Sequence, residues 1–312
     1  MSIRIQENIL LAPLTTFKIG GNARYFTEAR TEEEIHEAIA WAHEHNIPFI
    51  IFGGGSNVLV PDEGLNALVV HVATTDVSFD ANKLIADAGC NLLALIRSAS
   101  SKGLGGWEKL SGIPGTLGGA IRGNAGAFGT EIKDVAMKVR AFNTDTTEVR
   151  KFGNSECAFS YRHSFFKDNP AWLILRAHLG LKPVDSRESA RLIEETIAER
   201  ERRHLQNVQA AGSFFMNPVA PVSVQELFEK EKGMKAREGR VPAGWLIEKV
   251  GMKGAVLGGA TASEQHPNYI VNMGNATAVD VRALAENIKH AVMSQFTILL
   301  EEEAVDLGVT MH

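Results

Sequence analysis

LSGIPGTLGGAIRGNAGAFG, residues 110–129, carries seven glycines in twenty positions. Glycine loses more backbone entropy on folding than any other residue, so a cluster this dense needs a physical reason. One is main chain that must lie close to something large and flat or phosphorylated, with N–H groups reaching the ligand and no Cβ in the way. Ile113-Pro114-Gly115 suits a tight turn, with Pro at i+1 and Gly at i+2. The alternative is an ordinary glycine-rich connection between elements.

A second glycine run lies upstream. Phe49, Ile50, Ile51 and Phe52 form a wholly apolar run that suits a buried strand. Gly53, Gly54, Gly55, Ser56 and Asn57 follow, and Val58-Leu59-Val60 resumes an extended pattern. Before them, Thr31-Glu-Glu-Glu34 is a capping box, and Ile35, Ala38, Ile39 and Ala42 recur at helical spacing. Leu68, Val69, Val70 and Val72 read as another strand. Strand, helix, strand, glycine turn, strand is an α+β or α/β nucleotide-binding layout. The Rossmann fingerprint fails, because Val58 stands where its last glycine belongs and a strand follows rather than a helix. There is no Walker lysine. Alone, Gly53–Asn57 reads equally as a diphosphate loop or a hairpin turn. Paired with 110–129, it suits an extended cofactor with a diphosphate, such as a flavin dinucleotide. Thr15–Gly21, TTFKIGG, adds a third small-residue turn.

Further along, residues 84–90, 135–150 and 171–181 read as strands and Leu92–Ile96 as helix. Arg187–Leu205 is a charged helix and carries the best domain boundary, near 183–205. Ser223-Val-Gln-Glu226 is a second capping box; Thr277-Ala-Val-Asp280 is a third, ahead of Val281, Leu284, Ile288 and Val292. Phe296–Leu300 is strand-like.

The chain has 312 residues, 45% of them hydrophobic, and a net charge of −5. That is enough for two or three domains and gives no sign of nucleic acid as a partner. The two cysteines, Cys90 and Cys157, lack metal-ligand spacing and point to a reducing compartment. Neither a signal peptide nor a membrane-length apolar run is legible. The expectation is a soluble cytoplasmic chain without a metal.

Three segments carry reactive side chains. In Tyr161-Arg162-His163-Ser164, the arginine fork matches a carboxylate, although a lone arginine is more often a surface residue. In Ala211–Pro218, AGSFFMNP, Ser213 is not in a G-x-S-x-G elbow, so a hydrolase nucleophile is disfavoured and a loop serine or helix cap is the plain reading. Glu301-Glu302-Glu303 reads as a solvated acidic end, with one or two carboxylates on a buried face. His43 and His45 lie two apart on a helix and face different ways, which is not a zinc motif.

These pieces in this order resemble the UDP-N-acetylenolpyruvoylglucosamine reductase family, flavoenzymes that make UDP-N-acetylmuramate for bacterial peptidoglycan. The resemblance runs from about Thr15 to Gly308. It rests on TTFKIGG (15–21), FGGGSNVLV (52–60), SGIPGTLGGAIRGNAGAFG (111–129), CAFSYRHSFFK (157–167), AGSFFMNP (211–218), AGWLIE (243–248), HPNYIVN (266–272) and LLEEEA (299–304). The ordered set is specific where each piece is weak.

The resemblance implies an α+β chain with an FAD-binding fold of the vanillyl-alcohol-oxidase type. Residues 1–72, with 296–312 returning to them, and residues 73–195 would be its two subdomains. Residues 196–295 would form a C-terminal α+β domain for the UDP-sugar. It implies non-covalent FAD, NADPH as hydride donor, and no nucleic-acid or membrane partner. Gly53, Gly54, Gly55, Ser56, Asn57, Ser111, Gly112, Pro114, Gly115, Gly118, Gly119, Asn124 and Gly126 would line FAD. Arg162 would pair with the enolpyruvyl carboxylate, Ser213 would give a proton to C2, and Glu303 would assist it. Tyr161 and Asn217 would contact substrate, and Arg202 and Arg203 would help hold its diphosphate. The short span from Lys167 to Ser213 implies the family type without an extra tyrosine-bearing loop. Three positions depart from the family pattern. Met216 replaces a usual lysine, Ala210-Ala211 replaces Ser-Ala, and Arg122-Gly123 stands where a bulkier apolar residue is common.

Overall fold

The computed structural model describes residues 3–203 and 207–308, and the chain divides into two compact units. The first unit comprises residues 1–9, 23–55 and 66–202; the second comprises 10–22, 56–65 and 203–312.

The first unit holds two sheets. One has the strand order Gln6–Leu10, Asn22–Ala29, Leu65–Val72, Phe49–Phe52. Its last two strands run parallel, with Phe49 opposite Leu68 and Phe52 opposite His71. Helix Glu32–Glu44 starts at a formed capping box, with Thr31 accepting from Glu34 N–H. It buries Ile35, Ala38, Ile39 and Ala42 against Leu68, Val70 and Val72. Each such large apolar side chain contributes roughly 1.5–3 kcal/mol when fully buried.

The second sheet of this unit is antiparallel, in the order Val149–Gly153, Ala136–Asn143, Trp172–Gly180, Lys83–Asp87, Val77–Asp80. The run 135–150 is therefore a hairpin rather than one strand. Asn143 Oδ1 accepts from the N–H groups of Asp145 and Thr146 and turns the chain. Helices Leu92–Ser101 and Leu117–Arg122 pack on this sheet through Leu92, Leu95, Ile96, Leu117, Ala120 and Ile121. Helix Ser186–Arg202 matches the charged segment; Leu205, expected at its end, lies outside the described residues.

The second unit has a three-stranded sheet, Val256–Leu257, Ala260–Ala262, Ile270–Asn272, and helices Val222–Lys232, Ala243–Lys249 and Ala278–Phe296. The expected box at Thr277 forms. The one expected at Ser223 does not, because the helix is capped two residues earlier, at Pro221, whose carbonyl takes the Val224 and Gln225 N–H groups. Phe296–Leu300 is likewise not a strand. The long helix runs to Phe296, Thr297 turns left-handed at φ 55, pairing begins only at an isolated bridge from Glu302, and the next strand is Val305–Asp306. That short strand pairs in parallel with Val58–Leu59.

Candidate active site

In the first unit the two glycine runs meet. A Cβ on Gly54 would stand 2.8 Å from the Gly115 α-carbon, and one on Gly53 would stand 2.9 Å from Thr116 Oγ1. Only glycine lets the two loops approach this closely. Thr116 accepts from Gly119 N–H and so starts the helix Leu117–Arg122. Ser111 is fully buried, and its hydroxyl has no hydrogen-bond partner. A buried orphan beside the glycine turn suits a polar ligand atom, because burying a hydroxyl without a partner is costly.

Asn124 also lies in this stretch, but protein occupies its side chain. Its amide N–H groups go to Glu131 Oε2 at 3.1 Å and Ser160 O at 2.8 Å, and its Oδ1 takes Lys133 N–H. The side chain therefore ties the glycine stretch to the segment that leads into Tyr161 and Arg162. Arg162 Nη2 donates to Gly126 O at 2.9 Å, and the guanidinium carbon lies 5.1 Å from the Tyr161 ring centroid. Arg162 has φ 55, a left-handed conformation unusual for an arginine. Ser160 and His163 bridge across this bend and hold the strain locally, and His163 also bonds Asp168.

In the second unit, Ser213 and Glu303 share a scaffold. Glu303 N–H donates to Phe214 O at 2.8 Å, Met216 N–H donates to Glu301 O at 2.9 Å, and Phe215 bridges Glu302. The serine segment and the acidic trio therefore run side by side as a short antiparallel pair. Asn268, from HPNYIVN, fixes the first of these. Its carbonyl takes Phe214 N–H, and its side chain bonds both the N–H and the C=O of Phe215. Asn57 Nδ2 donates to Glu303 O. Thr16 donates to Ala210 O, so the Thr15–Gly21 turn braces the same segment. Within the trio, Glu302 pairs with Lys289 at 2.7 Å. Burial works against the Lys289 charge, but its bonds to Glu286 and Glu302 outweigh that and raise its pKa.

Asn217 accepts from Ala243 N–H through its side chain and from Arg240 Nη1 through its carbonyl at 2.8 Å. Arg240 was not singled out from sequence; its signal was a basic residue just before VPAGWLIE. Asn268 was passed over as well, because a clamp made by a loop asparagine has no periodic signature. Arg202 is exposed and gives its fork to Glu199 on its own helix, and Arg203 is exposed. Met216 is partly buried, and its N–H donates to Glu301 O.

Among the described residues there is no group of three metal-ligating side chains, and no helix is long and apolar enough to cross a membrane.

Comparison with known proteins agrees with this geometry. Residues 203–306 match the family model described as the C-terminal domain of UDP-N-acetylenolpyruvoylglucosamine reductase, and residues 23–152 match an FAD binding domain. The UDP-N-acetylenolpyruvoylglucosamine reductase of Carboxydothermus hydrogenoformans is 37% identical over 310 residues, covering 99% of this chain and 95% of the relative. A crystal structure of the Thermus caldophilus enzyme of that name aligns with TM-score 0.77 at 31% identity, over 97% of this chain and 99% of that one. The fold is therefore the expected α+β one, an FAD-binding domain joined to this C-terminal domain. The same-named protein of Solibacter usitatus is 36% identical over 98% of both chains. A match of that length at that identity decides membership: the chain belongs to the UDP-N-acetylenolpyruvoylglucosamine reductase family.

Proposed function

We infer that the chain performs its family's reaction, reducing the enolpyruvyl ether of UDP-N-acetylglucosamine to UDP-N-acetylmuramate with NADPH and FAD. The observation that carries this reading is the contact of Gly53-Gly54 with Gly115-Thr116, beside the buried unpartnered Ser111 hydroxyl. Bare backbone from two loops and an orphan hydroxyl fit a flavin dinucleotide. Residues 1–195 hold FAD in this reading, 196–295 hold the UDP-sugar, and 296–312 return to the flavin domain.

FAD, when bound, supplies to C3 of the enol ether the hydride it takes from NADPH. The chain's own groups do the rest. Arg162 holds the substrate carboxylate, toward which negative charge builds, and its planar fork matches that group in two hydrogen bonds. Ser213 holds the proton destined for C2. A serine hydroxyl is a weak acid, so it serves only a strongly basic carbon centre, and Glu303 keeps the proton network in order. Support for this pairing is the backbone bond that sets Glu303 against Phe214, next to Ser213. Tyr161 and Asn217 contact the sugar nucleotide, and Arg202 and Arg203 add positive charge toward its diphosphate. A cytoplasmic location fits the free, buried thiols of Cys90 and Cys157.

The test is anaerobic. NADPH should bleach the flavin absorbance, and the enolpyruvyl UDP-sugar should restore it. A flavin that bleaches and stays bleached rules out this substrate.

A further inference from the structure

We propose that Gly126 is a positioning residue for Arg162: its bare α-carbon and its carbonyl seat the guanidinium that meets the substrate carboxylate. This rests on the reading above and deepens it. The family resemblance would set Gly126 against FAD instead.

Gly126 pairs with Glu131 in the short hairpin Gly126–Ala127, Thr130–Glu131. Gly129 turns that hairpin with a left-handed φ of 81, but Gly126 is not left-handed. Backbone conformation therefore does not call for glycine at 126; space does. A Cβ there would stand 2.8 Å from Glu131 Cγ, 3.1 Å from Thr130 O and 3.3 Å from Arg162 Nη1. The direction a side chain would take is thus filled by the hairpin and by the guanidinium.

The carbonyl of the same residue accepts from Arg162 Nη2 at 2.9 Å. Gly126 therefore borders both terminal nitrogens of the fork. The Arg162 backbone is fixed separately. Ser160 and His163 exchange backbone hydrogen bonds across it, and Lys167 Nζ donates to its carbonyl at 3.3 Å. What remains to be aimed is the long side chain, and the Gly126 carbonyl and the Tyr161 ring restrain it. A carbonyl has no net charge, so this bond orients the guanidinium without neutralising it. It uses one of the five N–H donors of an arginine, which leaves enough for a carboxylate held by two.

The test compares half-reactions and ligands in the flavin-loaded full chain. Gly126→Ala should slow reoxidation of the reduced flavin by the enolpyruvyl UDP-sugar roughly 10–100-fold, the cost of a misplaced binding group. FAD affinity and flavin reduction by NADPH should stay as in wild type. So should binding of UDP-N-acetylglucosamine, which has no enolpyruvyl carboxylate. In a double-mutant cycle, Gly126→Ala with Arg162→Lys should cost little more than Arg162→Lys alone, because both changes spoil one placement. An unchanged reoxidation rate overturns the assignment. Weaker FAD binding, an equal loss for UDP-N-acetylglucosamine or a fully additive cycle also overturns it, since each marks a role that does not pass through Arg162. Circular dichroism checks the fold. If Gly126→Ala does not fold, Glu131→Ala, which removes the Cγ that the new methyl would meet, serves as the background, and adding Gly126→Ala to it should still slow reoxidation. If the sugar does not reoxidise the wild-type flavin, the underlying reading fails instead.

Discussion

A β-carbon on Gly54 would stand 2.8 Å from the α-carbon of Gly115, closer than real side chains come to backbone. Gly54→Ala must therefore push two loops apart. Gly53→Ala meets only the Thr116 hydroxyl, which can rotate at the cost of its helix cap. We expect Gly54→Ala to lower FAD affinity at least tenfold and stability by roughly 1–3 kcal/mol, as overpacking does. Gly53→Ala should cost about the value of a cap, roughly 1 kcal/mol. Thermal melts and FAD titrations of the two variants check the order; equal losses would contradict it.

Ser213→Ala should leave flavin reduction by NADPH unchanged and slow reoxidation by the enolpyruvyl sugar about 10²–10⁴-fold, the usual worth of a positioned acid. Stopped-flow measurement of the two half-reactions separates them. Equal loss in both would refute the role.

Asn268 is buried and bonds both backbone groups of Phe215. Asn268→Ala leaves those groups unpaired and should destabilise the chain by roughly 2–4 kcal/mol, about 1–2 per orphaned group. Because the same clamp holds the segment carrying Ser213, sugar reduction should fall further than NADPH oxidation. Asn268→Asp keeps the acceptor for Phe215 N–H but sets a buried carboxylate oxygen against Phe215 C=O, so it should recover neither at neutral pH.

Glu32 and Arg140 join the capped helix to the antiparallel sheet through two hydrogen bonds, one of 2.8 Å. The Arg140 hydrogen bond holds the Glu32 carboxyl below its ordinary value. A depressed carboxylate stabilises the fold above its unfolded pKa and loses that contribution as pH falls through the folded one. Glu32→Gln should therefore lower stability by about 1 kcal/mol at neutral pH. The gap from wild type should close in acid, below the folded value, in melts recorded across the carboxylate range.

Burial pushes both thiols, Cys90 and Cys157, up to about 11. At pH 8 roughly one thiol in a thousand is then ionised, and burial slows reagent access further. Native chain should react with a disulfide reagent only as fast as it unfolds, and both thiols should titrate at once in denaturant. Fast labelling of the native chain would contradict this.

Local signals were legible where one segment carries the whole cause. The boxes at Thr31 and Thr277 could be read because cap and helix are neighbours in sequence. The Ser223 box and the Phe296–Leu300 strand misread that logic: Pro221 starts its helix through a carbonyl, and the long helix carries its apolar face through to Phe296. The ordered motifs gave the family by resemblance, and FAD with it; the glycine runs after apolar strands report by themselves only a need for bare backbone.

Sequence by itself determined that two glycine loops must come close to something, and its ordered motifs marked Arg162, Ser213 and Glu303 as candidates through a family resemblance. Tertiary structure decided what those loops touch and what aligns the reactive groups. Gly54 meets Gly115, Asn124 turns inward to Ser160, and Asn268 and Asn57 hold the serine and acidic segments together. None of these has a sequence period, because a hydrogen bond between distant residues depends only on where the fold brings two backbones.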